Sequence, residues 1–393
     1  MSWLAPLRSA LSQDQARACL VGLHGSTAAC ALTLLAQPHQ HLPNLTRPWV
    51  VMAPNDHAAE RIFNDLCFFH TLMDLPTDRL AWFPEWETLP YEETAPHVGL
   101  IAHRMTTLQQ LCASPPTILV TSATAAMHRL IPRRTFEQAL LRFKTGGTCE
   151  RETLTMGLLR MGYRRVSVVE IPGEFSIRGG IVDIFSTAYA SPLRIEFLGD
   201  LVESIRLFDP STQTSIKKFT EGWVLPAREF LRPVDASDAL TPIPPDAEWR
   251  SPDLYPQMDT LFDYLTLPPC LVLDQPETLK QACEKAWEKI DDGYLRHADR
   301  DAAQPYPSPE RLFLTWNDLQ QQAQTWPMLA VEPLAAPNPS WTRTFSFPGQ
   351  TPASIGLGIR GTAFSQTLSL LERLREEHRV MLVARSRGQV DRL

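Results

Sequence analysis

Between a short apolar run and a helical pattern lies Gly22-Leu23-His24-Gly25-Ser26-Thr27-Ala28-Ala29, where a phosphate-binding loop would stand. A working loop of the G-x-x-G-x-G-K-[ST] type needs Lys against the β/γ-phosphates and Ser or Thr on magnesium. Here those two positions are Ala28 and Ala29, and Thr27 replaces the last glycine. Backbone amides at a helix N-terminus can still face an anion, but the catalytic charge and the metal ligand are missing. Gly22, Gly25, Thr27, Ala28 and Ala29 are therefore read as a degenerate loop, a structural connection that binds no nucleotide. Leu271-Val272-Leu273-Asp274 has the apolar run and terminal acid of a Walker B strand, but Gln275 follows instead of a second acid. Without the loop Lys it, too, is structural.

Other catalytic patterns are missing. His57, His70, His97 and His103 are spread over helical stretches with no H-E-x-x-H, so no metal site is assigned. There is no G-x-S-x-G motif and no argued Cys/His pair, so no catalytic residue is assigned. The seven cysteines form no C-x-x-C pair and read as reduced, buried thiols. Glu85, Glu87, Glu92 and Glu93 cluster around Trp86 and Tyr91, and read as a solvated loop.

A polar strand face carries more information. In Leu193–Phe197 the apolar Leu193, Ile195 and Phe197 alternate with Arg194 and Glu196. In Ile181–Phe185, Val182 and Ile184 share the buried face, which leaves Asp183 and Phe185 on the polar one. Arg206 joins that face from the next strand. Several arginines, acids and one large ring are the composition of a protein-docking patch. On strand periodicity alone a solvated sheet face with cross-strand ion pairs fits slightly better, and both readings stay open.

These residues need elements to hold them. Residues 18–130 alternate strand-like runs (Ala18–Leu23, Trp49–Met52, Thr117–Thr121) with helical spacing (27–36, 59–69, 97–111), which predicts a parallel sheet covered by helices. Residues 131–226 change character. One helix over Arg151–Met161 precedes strand-like runs at Arg164–Ile171, Glu174–Phe185, Leu193–Leu198 and Leu201–Phe208, which predicts a small α+β domain. Strand-and-helix order resumes at Cys270–Asp274 and 277–290, after a stretch rich in Pro, Asp and Ser. Another Pro-rich stretch reads as a linker. From Thr362 a new helix–strand pattern begins and ends inside an element at Leu393, as expected of a shortened chain.

The 393 residues allow two to four domains. With 44% hydrophobic and 21% charged residues the chain is globular, not disordered or fibrous. The net charge is −7; residues 131–226 carry 13 basic against 11 acidic side chains, about +2, which leaves −9 for the rest of the chain. Strong duplex DNA binding by this chain alone is not expected, because phosphate neutralisation needs a clustered cationic excess. No secretory leader is evident, and the uncharged stretch from Ala18 to Leu35 holds turn residues at its centre. A cytoplasmic protein without a membrane span is expected.

Two sets of residues resemble one family. Trp86-Glu87-Thr88-Leu89-Pro90-Tyr91, then Pro96 and Ile101-Ala102-His103-Arg104-Met105-Thr106-Thr107-Leu108, form the first set. The second comprises Gly162-Tyr163-Arg164-Arg165, the run from Gly173 to Phe185, and Leu207-Phe208-Asp209-Pro210 with Gln213 and Thr214. Leu261-Phe262-Asp263-Tyr264-Leu265 fits the return segment. Together they resemble the N-terminal part of the bacterial transcription-repair coupling factors (Mfd).

The resemblance implies an α/β, RecA-like and UvrB-like parallel-sheet domain with an inserted α+β domain that binds UvrA. The implied boundaries are 1–130 for domain 1a, 131–226 for domain 2, 227–332 for domain 1b, 333–353 for a linker and 354–393 for the start of a third domain. It implies UvrA contacts at Arg164, Arg178, Phe185, Arg194 and Glu196. Full-length members add contacts to RNA polymerase and an ATP-driven motor on double-stranded DNA. ATP and magnesium belong to that motor, so no cofactor is expected in this chain. The alternative is a UvrB-type ATP-dependent damage-recognition enzyme. UvrB keeps the loop Lys and Thr, and carries a long aromatic hairpin after the position of Tyr91. Here Ala28 and Ala29 stand in the loop, and Tyr91 leads within a few residues to Pro96.

Overall fold

The computed structural model describes residues 3–37, 47–233, 241–298, 305–334, 340–347 and 364–377. The chain divides into two compact units, Met1–Phe347 and Pro348–Leu393. In the first, α1 (Leu4–Leu11) precedes β1 (Arg17–Val21) and α2 (Thr27–Ala36). The strand–helix unit then repeats through β2 (Trp49–Ala53), α3 (Asp56–Leu72), β3 (Leu80–Phe83), α4 (Val98–Ala113), β4 (Ile118–Ser122) and α5 (Ala123–Met127). Strand β1 stops at Val21, two residues short of the apolar run, because Gly22 turns the chain with a φ of 85°. The Asn55 side chain accepts from the Ala58 amide at 2.9 Å and starts α3 where the sequence places the cap.

A second sheet follows the short elements β5 (Arg129–Leu130), α6 (Arg133–Ala139), β6 (Leu141–Lys144) and α7 (Arg151–Arg160). Its strands are β7 (Arg164–Arg165), β8 (Glu174–Arg178), β9 (Ile181–Ile184), β10 (Leu193–Leu198), β11 (Leu201–Phe208) and β12 (Ser215–Phe219). They lie in the order β12-β11-β10-β9-β8-β7. The run Glu174–Phe185 is thus two strands, divided at Gly179-Gly180, where Gly179 takes a φ of 60°. Only the first two residues of the run Arg164–Ile171 are strand. Leu198-Gly199-Asp200 turns β10 into β11 as expected, with Gly199 at a φ of 64°.

The chain then pairs β13 (Glu221–Val224) with β6, and passes α8 (Ser251–Leu254) and β14 (Asp259–Thr260). It returns to the first sheet through β15 (Cys270–Asp274), α9 (Pro276–Ala298), α10 (Pro309–Leu312), α11 (Trp316–Gln322), β16 (Met328–Glu332) and β17 (Arg343–Ser346). The first sheet has the order β17-β1-β16-β15-β2-β4-β3, and every pairing in it is parallel. Residues from both sides of the second sheet therefore build the first. Within the stretch read as a linker, Arg343–Ser346 is an edge strand on β1. In the second unit the described residues form α12 (Phe364–Glu377), and the strand expected at Val380–Ala384 lies outside them.

Burial explains the arrangement. Strand β2 is apolar at every position and buried on both faces, as a parallel strand between helical layers must be. Val50 and Met52 join one apolar cluster, whereas Trp49, Val51 and Ala53 join another. The first of these clusters continues into the inner face of the second sheet through Phe175, Val182, Ile184, Leu193 and Ile195. The two sheets thus share a core, which fixes how the polar face of the second is presented. Among the described residues, no helix is long and apolar enough to cross a membrane.

Candidate protein-docking site

On the outer face of the second sheet, register aligns Ser176, Asp183, Arg194, Arg206 and Lys218 in one row across five strands. Asp183 lies near its centre with a side chain 2% exposed. Arg194 donates Nε to Asp183 Oδ1 at 2.7 Å and Nη2 to Oδ2 at 2.9 Å. Arg178 Nη2 reaches the same Oδ2 at 2.6 Å. Arg194 Nη2 also donates to Gln213 Oε1 at 2.7 Å, and its guanidinium sits 4.1 Å from the centre of the Phe208 ring. The hydrogen bonds to Asp183 push the Arg194 pKa up from its ordinary value.

Two further carboxylates organise the face. Glu196 accepts from Arg206 Nη2 at 2.5 Å and from Ser204 Oγ at 2.6 Å. Those bonds, Arg206 first, hold its pKa below the usual carboxylate range. Glu174 accepts from Arg164 Nη2 on Oε1, and from the amides of Glu170 and Ile171 on Oε2 at 2.9 and 3.1 Å.

The five expected contact residues therefore fall into three pairings. Arg178 and Arg194 share Asp183. Arg164 and Phe185 meet at Glu174, the first through its carboxylate and the second through a backbone bond from Phe185 N to Glu174 O at 2.9 Å. Glu196 pairs with Arg206. Exposure separates them further, because Arg164 and Arg178 are exposed, Glu196 is half-buried, and Arg194 and Phe185 are buried. An exposed Phe185 ring, the anchor that alternation predicts, is corrected here: Phe185 is 7% exposed. Alternation fixes the face but not what covers it. Gly173 donates to Phe185 O at 2.9 Å and draws the end of the preceding loop against this residue. Asp183, Glu174 and Gln213 were not assigned from the sequence. The available signal was an acid in mid-strand at Asp183, facing Arg194 one strand away.

The degenerate loop is a tightly closed corner. Gly22 and Gly25 have φ values of 85° and 56°. A Cβ on Gly22 would lie 2.9 Å from Phe347 O, and Phe347 N donates to Val21 O at 2.8 Å. Thr27 Oγ1 donates to His24 O and accepts from His24 N, at 2.8 and 2.7 Å, so its hydroxyl is engaged within the turn. Ala28 is half-buried, and Ala29 is 1% exposed in the second apolar cluster. Asp274 ends β15 almost buried, and burial raises its pKa. Among the described residues no His, Cys, Asp and Glu side chains group as metal ligands.

The acidic loop is solvated at Glu87 and Glu93, as expected, while its other groups clasp the body of the protein. Glu87 accepts from the His97 amide and Glu85 from Ser122 Oγ. Trp86 donates to Glu229, and Tyr91, fully buried, donates to Pro307 O.

Residues 141–230 match the family described as UvrB interaction domain. The stretch includes every residue of the polar face. Three transcription-repair-coupling factors illustrate the wider similarity. That of Myxococcus xanthus is 29% identical over 321 residues, 72% of this chain and 26% of the relative. That of Haemophilus influenzae is 28% identical over 330 residues, 77% of this chain and 27% of the relative. The Escherichia coli protein is 31% identical over 204 residues, 52% of this chain and 17% of the relative. The chain spans about a quarter of the length of the first two of these relatives. It is similar to an N-terminal region of the transcription-repair-coupling factors, and its residues 141–230 match the UvrB interaction domain beside an α/β, RecA-like and UvrB-like framework.

Proposed function

We propose that this chain is a non-catalytic docking module of transcription-coupled nucleotide excision repair, which recruits UvrA through the outer face of its second sheet. The carrying observation is the buried Asp183 carboxylate, which holds Arg178 at the surface and Arg194 beneath it inside the matched domain. Such a face offers planar, hydrogen-bonding cations to partner carboxylates. The names of the relatives support a place in coupling repair to transcription. By the same resemblance, the whole protein is an ATP-dependent DNA translocase that displaces stalled RNA polymerase, with the motor outside this stretch. A UvrB-type enzyme is disfavoured, because Ala28 and Ala29 supply neither phosphate charge nor magnesium ligand.

Titrating purified UvrA with the chain tests this reading, and saturable binding is the expected result. No binding would overturn it. In parallel, the chain should show no magnesium-dependent ATP hydrolysis. Turnover abolished by changes within Gly22–Ala29 would restore the enzymatic alternative.

A further inference from the structure

Between β7 and β8, the loop of residues 166–173 places two large aliphatic side chains in solvent. Val168 is 44% exposed and Ile171 51%. Val169, between them, turns inward and is 2% exposed. Single exposed apolar residues are ordinary, but this loop is fixed along its length. Val166 N donates to Phe175 O at 2.9 Å, and Ser176 Oγ donates to Ser167 O at 2.9 Å. The amides of Glu170 and Ile171 converge on Glu174 Oε2, and Gly173 N closes on Phe185 O. The other oxygen of Glu174 takes Arg164, whose side chain is 69% exposed. One buried carboxylate therefore sets both the loop and the neighbouring cation.

We propose that this loop is the apolar edge of the docking face, with Val168 and Ile171 as the anchors that the buried Phe185 cannot be, and with Glu174 as their positioning residue. The proposal rests on the UvrA reading above and names the chemistry of the partner patch: an aliphatic surface flanked by carboxylates. From Arg164 to Arg178, the exposed charged residues are Arg164, Arg165 and Arg178 against Glu170 alone. Glu174 and Asp183 are buried beneath their arginines, so the surplus positive charge faces outward. A prefixed loop loses little conformational entropy on contact, which favours anchoring at these two side chains.

The test is calorimetric titration of UvrA with the full chain and three variants. The double variant Val168→Ser/Ile171→Ser should bind about 10-fold more weakly, as loss of anchor contacts does, with an unchanged Tm. Arg164→Glu tests the underlying docking reading separately. If Arg164→Glu weakens binding and the double variant binds like the parent, the proposal is overturned and the docking reading survives. If neither weakens binding, both fall. Glu174→Gln should speed amide exchange at Glu170 and Ile171 and weaken UvrA binding together. Faster exchange with full affinity would reduce Glu174 to a structural carboxylate and overturn its positioning role.

Discussion

Arg104 in α4 and Glu229, just beyond the second sheet, form a forked ion pair with Nε 2.5 Å from Oε1 and Nη2 2.9 Å from Oε2. Their side chains are 0% and 6% exposed. Trp86 Nε1 donates to the same Oε1 at 2.8 Å, and the guanidinium lies 4.0 Å from the centre of the Phe83 ring. Glu229 therefore ties the exit of the second sheet to the helices and loops of the first. Through this lock and the shared apolar core, the outer face of the second sheet is held on a fixed base.

Removing one partner of a buried pair strands the other charge, which costs ~3–5 kcal/mol. Glu229→Ala and Arg104→Ala should each lose stability of that order in chemical denaturation. Replacing both with Leu and Met should cost less than either single change, because no buried charge is left unpaired. A double variant as unstable as the sum of the singles would contradict the lock.

Arg194 and Arg164 should separate in a stability measurement, though both belong to the proposed contact set. Arg194→Ala removes two hydrogen bonds from a buried carboxylate, and should cost ~1–3 kcal/mol. Arg164→Ala removes one ion pair made by an exposed side chain, while Glu174 keeps two backbone amides, and should cost less, within ~1 kcal/mol. Equal melting temperatures for the two variants would refute the division of this face into buried and exposed cations.

That division marks the limit of what alternation reveals. The register of Leu193, Arg194, Ile195, Glu196 and Phe197 predicts inward and outward sides, and the structure agrees in direction. It cannot tell that Asp183 pulls Arg194 down to 9% exposure, because that depends on a carboxylate one strand away. Helix α2 is legible to the residue from its apolar spacing. The strand Arg343–Ser346 is not, since its partner β1 is more than 300 residues earlier and the surrounding prolines speak for a linker. Ala28 and Ala29 were informative because a missing Lys is visible without any structure.

Asp56 should contribute a loss of stability as pH rises through the range from about 4 to about 6. Burial, with Glu85 and Glu60 nearby, pushes its pKa from 3.8 up to about 6 in the folded chain. Between those values the folded state binds the proton more tightly than the unfolded state does, so raising pH costs stability. Asp56→Asn keeps an acceptor for the Glu85 amide, now at 3.1 Å from Oδ1. Relative to the parent, the variant should gain Tm at pH 7.5 and show no gain at pH 4. An equal difference at both pH values would contradict the assignment.

The central claim is that UvrA docks on the outer face of the second sheet, and charge reversal at its exposed cations tests it most directly. Arg164→Glu/Arg178→Glu alters two side chains 69% and 47% exposed, on either side of the buried acids that hold them. Isothermal titration of UvrA should show affinity reduced at least ~10-fold, because each new carboxylate faces partner acids. The two new carboxylates lie against the buried Glu174 and Asp183, so the melting temperature should fall, and the titration is run well below the variant's own unfolding transition. Undiminished affinity in this variant, with the fold intact, would contradict the account and return the face to a solvated sheet with internal ion pairs.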